Sequence, residues 1–222
     1  MNKELIVNID PKSTTSEAFK TIRTNLQFSS VEGKVKSILV TSSTPGEGKS
    51  FISANLAVAF AQAGSKVLLI DCDLRRGRVH RVFEANNEKG LSNLLIDNVK
   101  ENFKDYIQKT SVKGLDVIPR GAIPPNPSEI LGSSKARELA KLVTKNYDMV
   151  IYDGVPLMGL ADSVIMADLV DKIVLVSTYK QTRLEELENS KRVLEKFEGK
   201  LAGVIFNRLP QKKSRYYYSY YK

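Results

Sequence analysis

The chain has 222 residues, 42% hydrophobic and 27% charged, proportions that exclude a disordered or fibrous protein. Its 34 basic and 25 acidic side chains leave a net charge of +9, which suggests a polyanionic partner: nucleic acid, an acidic membrane face or a phosphorylated ligand. Cys72 is the single cysteine, so a disulfide framework and a cysteine-rich zinc site are excluded, and without a membrane-length apolar run or an apolar signal core a soluble cytoplasmic protein is expected.

In chain order, Thr14–Phe28 comes first. Phe19, Ile22 and Leu26 are spaced three and four apart there, which predicts an amphipathic helix with Ser16 or a neighbouring Thr as its N-cap. Apolar runs then recur at Ser37–Thr41, Lys66–Ile70, Leu115–Pro119, Met149–Tyr152, Ile173–Ser177 and Ala202–Phe206. They are continuous rather than alternating, as strands covered on both faces should be. Helical patterns fall between them near Ser50–Ala63, Ser134–Lys145, Ser163–Leu169 and Arg183–Glu198. Alternation of this kind predicts an α/β fold with a mostly parallel central sheet, helices on both faces and right-handed crossovers. No repeat or Gly/Ser linker divides it, so residues 1–210 read as one domain. From Gln211 the sequence QKKSRYYYSYYK has no aliphatic residue and reads as a flexible tail over 211–222.

The first strand runs into Ser42-Ser43-Thr44-Pro45-Gly46-Glu47-Gly48-Lys49-Ser50 and then a helix, which is a phosphate-binding P-loop in its required setting. Gly46 and Gly48 let backbone N–H groups turn inward where a Cβ would intrude, and the helix N-terminus adds positive potential. Lys49 is expected to reach the β- and γ-phosphates of ATP and the Ser50 hydroxyl to ligate Mg²⁺, with Gly46, Glu47, Gly48 and Phe51 completing the nucleotide site. Ser43 stands where the longer consensus has its first glycine, so the match is to the GxGK[ST] core.

Three carboxylates follow at strand ends. Asp71 and Asp73, at period two, are expected to face the crevice together, and Asp153 ends the run MVIYD. One or two can hold Mg²⁺ (Asp71 and Asp153), while Asp71 or Asp73 can accept a proton from an attacking hydroxyl. Asn207 and Arg208 either contact the nucleotide or cap the last strand. Arg75, Arg76, Arg78 and Arg81 are equally readable as an anion site and as a solvated basic face. His80 lacks a companion metal ligand, and Cys72 is expected to be buried filler.

Together these residues resemble the bacterial tyrosine kinases (BY-kinases) of capsule and exopolysaccharide synthesis, of the separate cytoplasmic CpsD/CapB type. Ser43–Ser50 is similar to that family's Walker A, VLLIDCDLR (67–75) to its Walker A′ and Asp153 to its Walker B aspartate. Gly90-Leu91-Ser92 and GAIPPNPSEIL (121–131) are similar to stretches typical of it. Glu17, Lys20 and Arg23 fall on its E-x-x-R-x-x-R oligomerisation motif, with Lys in the middle place. They are also spaced for ordinary intrahelical ion pairs. Two departures stand out: Gly154-Val155-Pro156 replaces the usual Thr-Pro-Pro after Asp153, and Lys20 lacks the bidentate fork of an arginine.

The resemblance implies an ATP- and Mg²⁺-dependent protein tyrosine kinase in a ring-like homo-oligomer. It would phosphorylate a neighbour's tail and other protein tyrosines, and be recruited to the inner membrane face by the cytoplasmic segment of a membrane modulator. No nucleic-acid partner is expected. Five of the nine tyrosines (Tyr216, Tyr217, Tyr218, Tyr220 and Tyr221) lie in the last seven residues. The eight residues from Pro210 to Tyr218 span at most about 29 Å, enough to reach an adjacent subunit. Two rivals remain in view. A ParA/MinD-type switch ATPase would carry a signature lysine ahead of the glycines, where this chain has Thr44-Pro45, and a nucleic-acid module would use the basic aromatic tail.

Overall fold

The computed structural model describes residues 4–29 and 34–210. The elements in chain order are α1 (Ile6–Ile9), α2 (Thr14–Gln27), β1 (Ser37–Ser42), α3 (Lys49–Gln62), β2 (Val67–Asp71), α4 (Val79–Val82), α5 (Leu91–Ile96) and α6 (Val99–Asn102). A 3₁₀ turn (Phe103–Tyr106) leads to β3 (Gln108–Lys109), β4 (Leu115–Ile118), α7 (Pro127–Leu131) and α8 (Ser134–Asn146). β5 (Met149–Pro156), α9 (Asp162–Asp168), β6 (Lys172–Thr178), α10 (Leu184–Glu195) and β7 (Leu201–Asn207) complete the order.

Seven strands form one sheet in the order β3-β4-β2-β5-β1-β6-β7. Every neighbouring pair is parallel except β3 with β4. The expected α/β architecture is therefore present, with one addition: the antiparallel edge β3 is two residues long, too short to leave a periodic trace in sequence.

Strand alternation splits the core into two layers. Ile38, Val40, Val67, Leu69 and Ile151 pack with Val7, Phe19, Leu26 and the body of α3. Leu39, Leu68, Ile70, Val150 and Tyr152 pack on the opposite face with side chains of α5, α8 and α9. Both faces being covered explains why β1, β2 and β5 are buried at every position and read as unbroken apolar runs.

The predicted N-terminal helix is α2, but its cap is Ser13. The Ser13 hydroxyl accepts from Ser16 N–H at 3.2 Å. Ser16 lies inside the first turn, where its buried hydroxyl donates to the Asp10 carbonyl at 2.6 Å, so it cannot serve as the cap. Cys72 is buried as expected. The residues from 211 onward, with all five terminal tyrosines, lie outside the described residues.

Candidate active site

β1 and β5, side by side at the centre of the sheet, deliver the P-loop and Asp153 to one end of it, and β2 delivers Asp71. The loop turns on Gly46 and Gly48, whose φ angles of +83° and +90° lie in the left-handed region. An added Cβ on Gly48 would come within 2.2 Å of Asn207 Nδ2. α3 starts at Lys49, a residue only 9% exposed. Gly46, Gly48, Lys49, Ser50, Phe51 and Asp73 line a cavity of about 860 Å³. Arg75, Arg76, Arg78, Pro156, Asn207 and Arg208 line it too.

Of the loop residues expected to complete the nucleotide site, Glu47 is the exception: its side chain is wholly buried and does not line the cavity. Its carboxylate accepts from Thr44 N–H at 2.8 Å and from the Thr182 hydroxyl, while Thr178 Oγ1 donates to its carbonyl at 3.2 Å. Glu47 thus braces the loop against the segment after β6. Asn207 Nδ2 donates to the Glu47 carbonyl at 2.9 Å, and Arg208 reaches the Gly46 carbonyl at 3.4 Å and Gln181 Oε1 at 3.1 Å. Phe51 packs toward Phe19, ring centroids 6.1 Å apart, joining the loop's helix to α2.

The three aspartates divide by burial. Asp71 and Asp153 are opposite each other in the β2–β5 register and both are fully buried. Asp71 accepts from Asp73 N–H at 3.2 Å and Val79 N–H at 3.0 Å. Burial first, then Asp153, holds its pKa well above the usual carboxylate range. Gly77 fits under it because a Cβ there would lie 2.2 Å from its oxygen. Asp153 is pushed up to about 6 by burial, against the Lys49 ammonium and the Ser50 and Ser53 hydroxyls, which pull the other way. Ser53 Oγ donates to Oδ1 at 3.0 Å, and Oδ2 is buried with no hydrogen-bond partner.

Asp73 lies past the end of β2 and is half-buried, and it lines the cavity where Asp71 does not. The two do not share one environment, because the chain leaves the strand after Asp71 and the period-two rule lapses. Asp73 Oδ1 accepts from Arg75 N–H at 3.2 Å and Arg76 N–H at 2.8 Å, which folds the arginine turn around it. Among the described residues no three His, Cys, Asp or Glu side chains are arranged to hold a metal ion.

The departure at Gly154 has a steric reason: a Cβ there would lie 2.6 Å from Ser163 Oγ. That hydroxyl donates to the Val155 carbonyl at 2.6 Å and accepts from Val155 N–H at 2.8 Å, continuing β5 through Pro156. Of the α2 residues, Glu17 and Lys20 pair at 2.7 Å, and Arg23 donates to the Ala59 carbonyl of α3 at 3.1 Å. Sequence reasoning missed the Asp162 carboxylate, which holds Arg75 from 87 residues away, and no local pattern marks it.

A P-loop at the end of a mostly parallel α/β sheet, beside buried Asp71 at the end of β2 and buried Asp153 within β5 rather than at its end, defines a P-loop nucleotide-binding protein. Residues 35–203 match the profile described as the AAA domain. The tyrosine-protein kinase YwqD of Bacillus subtilis is 44% identical over 93% of this chain and 86% of its own. The tyrosine-protein kinase etk of Escherichia coli is 36% identical over 94% of this chain, which spans 28% of etk. The crystal structure of the chimerical protein CapA2B2 superposes with a TM-score of 0.89 at 39% identity, covering 95% of this chain and 92% of that one. MinD of Pyrococcus horikoshii, at 24% identity, 80% and 72% coverage and a TM-score of 0.66, shares the fold alone. The chain belongs to the bacterial tyrosine kinase (BY-kinase) family and is a protein-tyrosine kinase. Among the described residues no helix is long and apolar enough to cross a membrane.

Proposed function

We propose that the chain is an ATP- and Mg²⁺-dependent kinase that phosphorylates Tyr216, Tyr217, Tyr218, Tyr220 and Tyr221 of a neighbouring copy. It serves capsule or exopolysaccharide synthesis and is recruited to the inner membrane face by the cytoplasmic segment of a membrane modulator. The observation that carries this reading is the Asp153 carboxylate, with one buried, unpartnered oxygen beside Lys49 and Ser50. A buried lone pair of that kind is costly unless something binds it, and a divalent cation suits it.

In this reading Ser50 and Asp153 would hold Mg²⁺, with Asp71 supporting the site from behind. When bound, Mg²⁺ neutralises charge on the β- and γ-phosphates. The N–H groups of Gly46, Glu47 and Gly48 cradle the phosphates, Lys49 spans the β- and γ-positions, and Phe51, Asn207 and Arg208 border the nucleoside. The incoming phenolic oxygen bonds to the γ-phosphorus as that phosphorus separates from the bridging oxygen. ADP departs with the bonding pair, and the phenolic proton passes to Asp73, the carboxylate that lines the cavity. Asp71, enclosed by Gly77 and two N–H donors, shapes the turn that presents Asp73.

Glu17, Lys20 and Arg23 contribute to contacts within a ring-like homo-oligomer. Each phosphate adds roughly −1.5 to −2 of charge, so several reverse the sign of the tail. The test is to incubate full-length protein with Mg²⁺ and ATP, alone and fused to a modulator's cytoplasmic segment, and to locate phosphate by peptide mass spectrometry. Phosphate on Tyr216–Tyr221, absent in Lys49→Met and in a tail deletion, is the expected result. ATP hydrolysis without tyrosine modification under either condition would overturn it.

A further inference from the structure

Four arginines line the cavity, and the three that lie between β2 and α4 are held differently. Arg78 pairs with Glu4 at 3.3 Å, both partners being well exposed, an arrangement that solvent and side-chain entropy make weak. Arg76 shows no ion pair among the described residues. Arg75 is anchored on a carboxylate that is only 1% exposed: its Nε donates to Asp162 Oδ2 at 3.3 Å.

Asp162 is itself fixed. It opens α9, and its other oxygen accepts the Ser128 hydroxyl of α7 at 2.6 Å. One carboxylate therefore ties three separate segments together: the turn after β2, the Pro127–Leu131 helix and the start of α9. The bond to Arg75 uses Nε, the side of the guanidinium, and the two terminal amino groups make no bond to described residues. A planar fork held at its edge and open at its tip suits an oxyanion. The same turn carries Asp73, whose Oδ1 accepts the Arg75 backbone N–H, so the arginine and the cavity carboxylate belong to one hydrogen-bonded turn.

We propose that Asp162, locked by Ser128, is a positioning residue that aims Arg75 at the phosphoryl group in transfer, so that Arg75 meets the charge that develops there. This rests on the phosphoryl-transfer reading of the cavity. An arginine supplied in this way stabilises the transferring group more than bound nucleotide, so its effect belongs to the transition state. Asp162 acts through it by removing rotational freedom, since a side chain already in place meets the transferring group without reorganisation. A merely structural role for Asp162 would weaken nucleotide and transition-state mimic alike.

The experiment compares binding of Mg-ADP and of Mg-ADP–aluminium fluoride, a mimic of the phosphoryl group in flight, to full-length wild type, Arg75→Ala, Asp162→Asn and the double variant. Asn keeps the volume of Asp162 and guards against simple unfolding, and Ser128→Ala, which leaves Asp162 charged, gives a second route to the same loosening. The expected result is a loss of mimic affinity of at least about tenfold in Arg75→Ala and a smaller loss in Asp162→Asn and Ser128→Ala, with ADP affinity within about twofold throughout. Asp162→Asn should cost nothing further once Arg75 is gone. An undiminished Asp162→Asn effect in the Arg75→Ala background overturns the proposal, as do equal losses for both ligands or a wild type that binds both alike. Phosphotyrosine formation with Mg-ATP, by wild type alone and fused to the modulator segment, judges the proposed function separately: its absence in both with mimic discrimination intact would sink that reading and leave this one standing.

Discussion

Asp71 and Asp153 stand opposite one another on neighbouring parallel strands, both sealed from solvent. Burial above all makes each hold its proton more tightly than it would in water; the Asp153 charge adds to this at Asp71, and the Asp73 charge adds to it at Asp153. The β2–β5 register sets the two carboxylates side by side in that buried place.

Replacing Asp153 with Asn should therefore stabilise the nucleotide-free protein while weakening Mg²⁺-dependent nucleotide binding. The sign follows from a folded pKa raised to about 6 above an unfolded value of 3.8: ionisation costs stability as pH rises through that interval. Above pH 7 the variant should gain roughly 1–3 kcal/mol, and at pH 4 nothing. Urea unfolding at the two pH values measures this, and an equal gain at both would refute the assignment.

Gly48→Ala should damage the P-loop by two routes. Alanine at φ +90° costs roughly 1–2 kcal/mol in backbone strain, and its Cβ displaces Asn207 from the Glu47 carbonyl. Trimming Asn207 to Ala in the same protein removes the collision but not the strain, so nucleotide affinity measured by calorimetry should recover only in part.

Glu47→Ala should loosen the loop without removing any group that lines the cavity. It leaves Thr44 N–H without its acceptor and frees Thr182, at a cost of about 1–3 kcal/mol. Nucleotide affinity should fall, and Glu47→Gln, which can still accept from Thr44, should recover most of the stability. A variant with wild-type Tm and nucleotide affinity would show that the brace is idle.

Replacing both Glu17 and Lys20 with Ala should be nearly silent in thermal unfolding, because their pair is half-exposed and worth about 0.2–0.5 kcal/mol. If they serve subunit contact, the loss appears instead as a lower assembly mass in light scattering. Arg23→Ala is expected to affect both measurements, since Arg23 also bonds the Ala59 carbonyl within its own chain.

The six long strands, the five long helices and the P-loop were legible in the sequence because each is encoded locally. Apolar runs covered on both faces, a 3.6-residue period and two glycines ahead of Lys49-Ser50 all fall within short windows. The short helices α1, α4, α5, α6 and α7 escaped because four to six residues cannot carry a helical period. The cap of α2 was misplaced by one turn because Ser13 and Ser16 are equally plausible in sequence, and only the fold buries Ser16 against Asp10.

By itself the sequence determined the class of fold, the phosphate loop and the aspartates to be weighed, since φ preferences, side-chain period and the missing Cβ of glycine act between near neighbours. Tertiary structure alone decided what those residues meet. It separated buried Asp71 from cavity-lining Asp73, turned Glu47 inward as a brace, left one oxygen of Asp153 without a partner, and brought Asp162 to Arg75 across 87 residues. Such pairings depend on strand order and register, and those are fixed by packing both faces of the sheet at once.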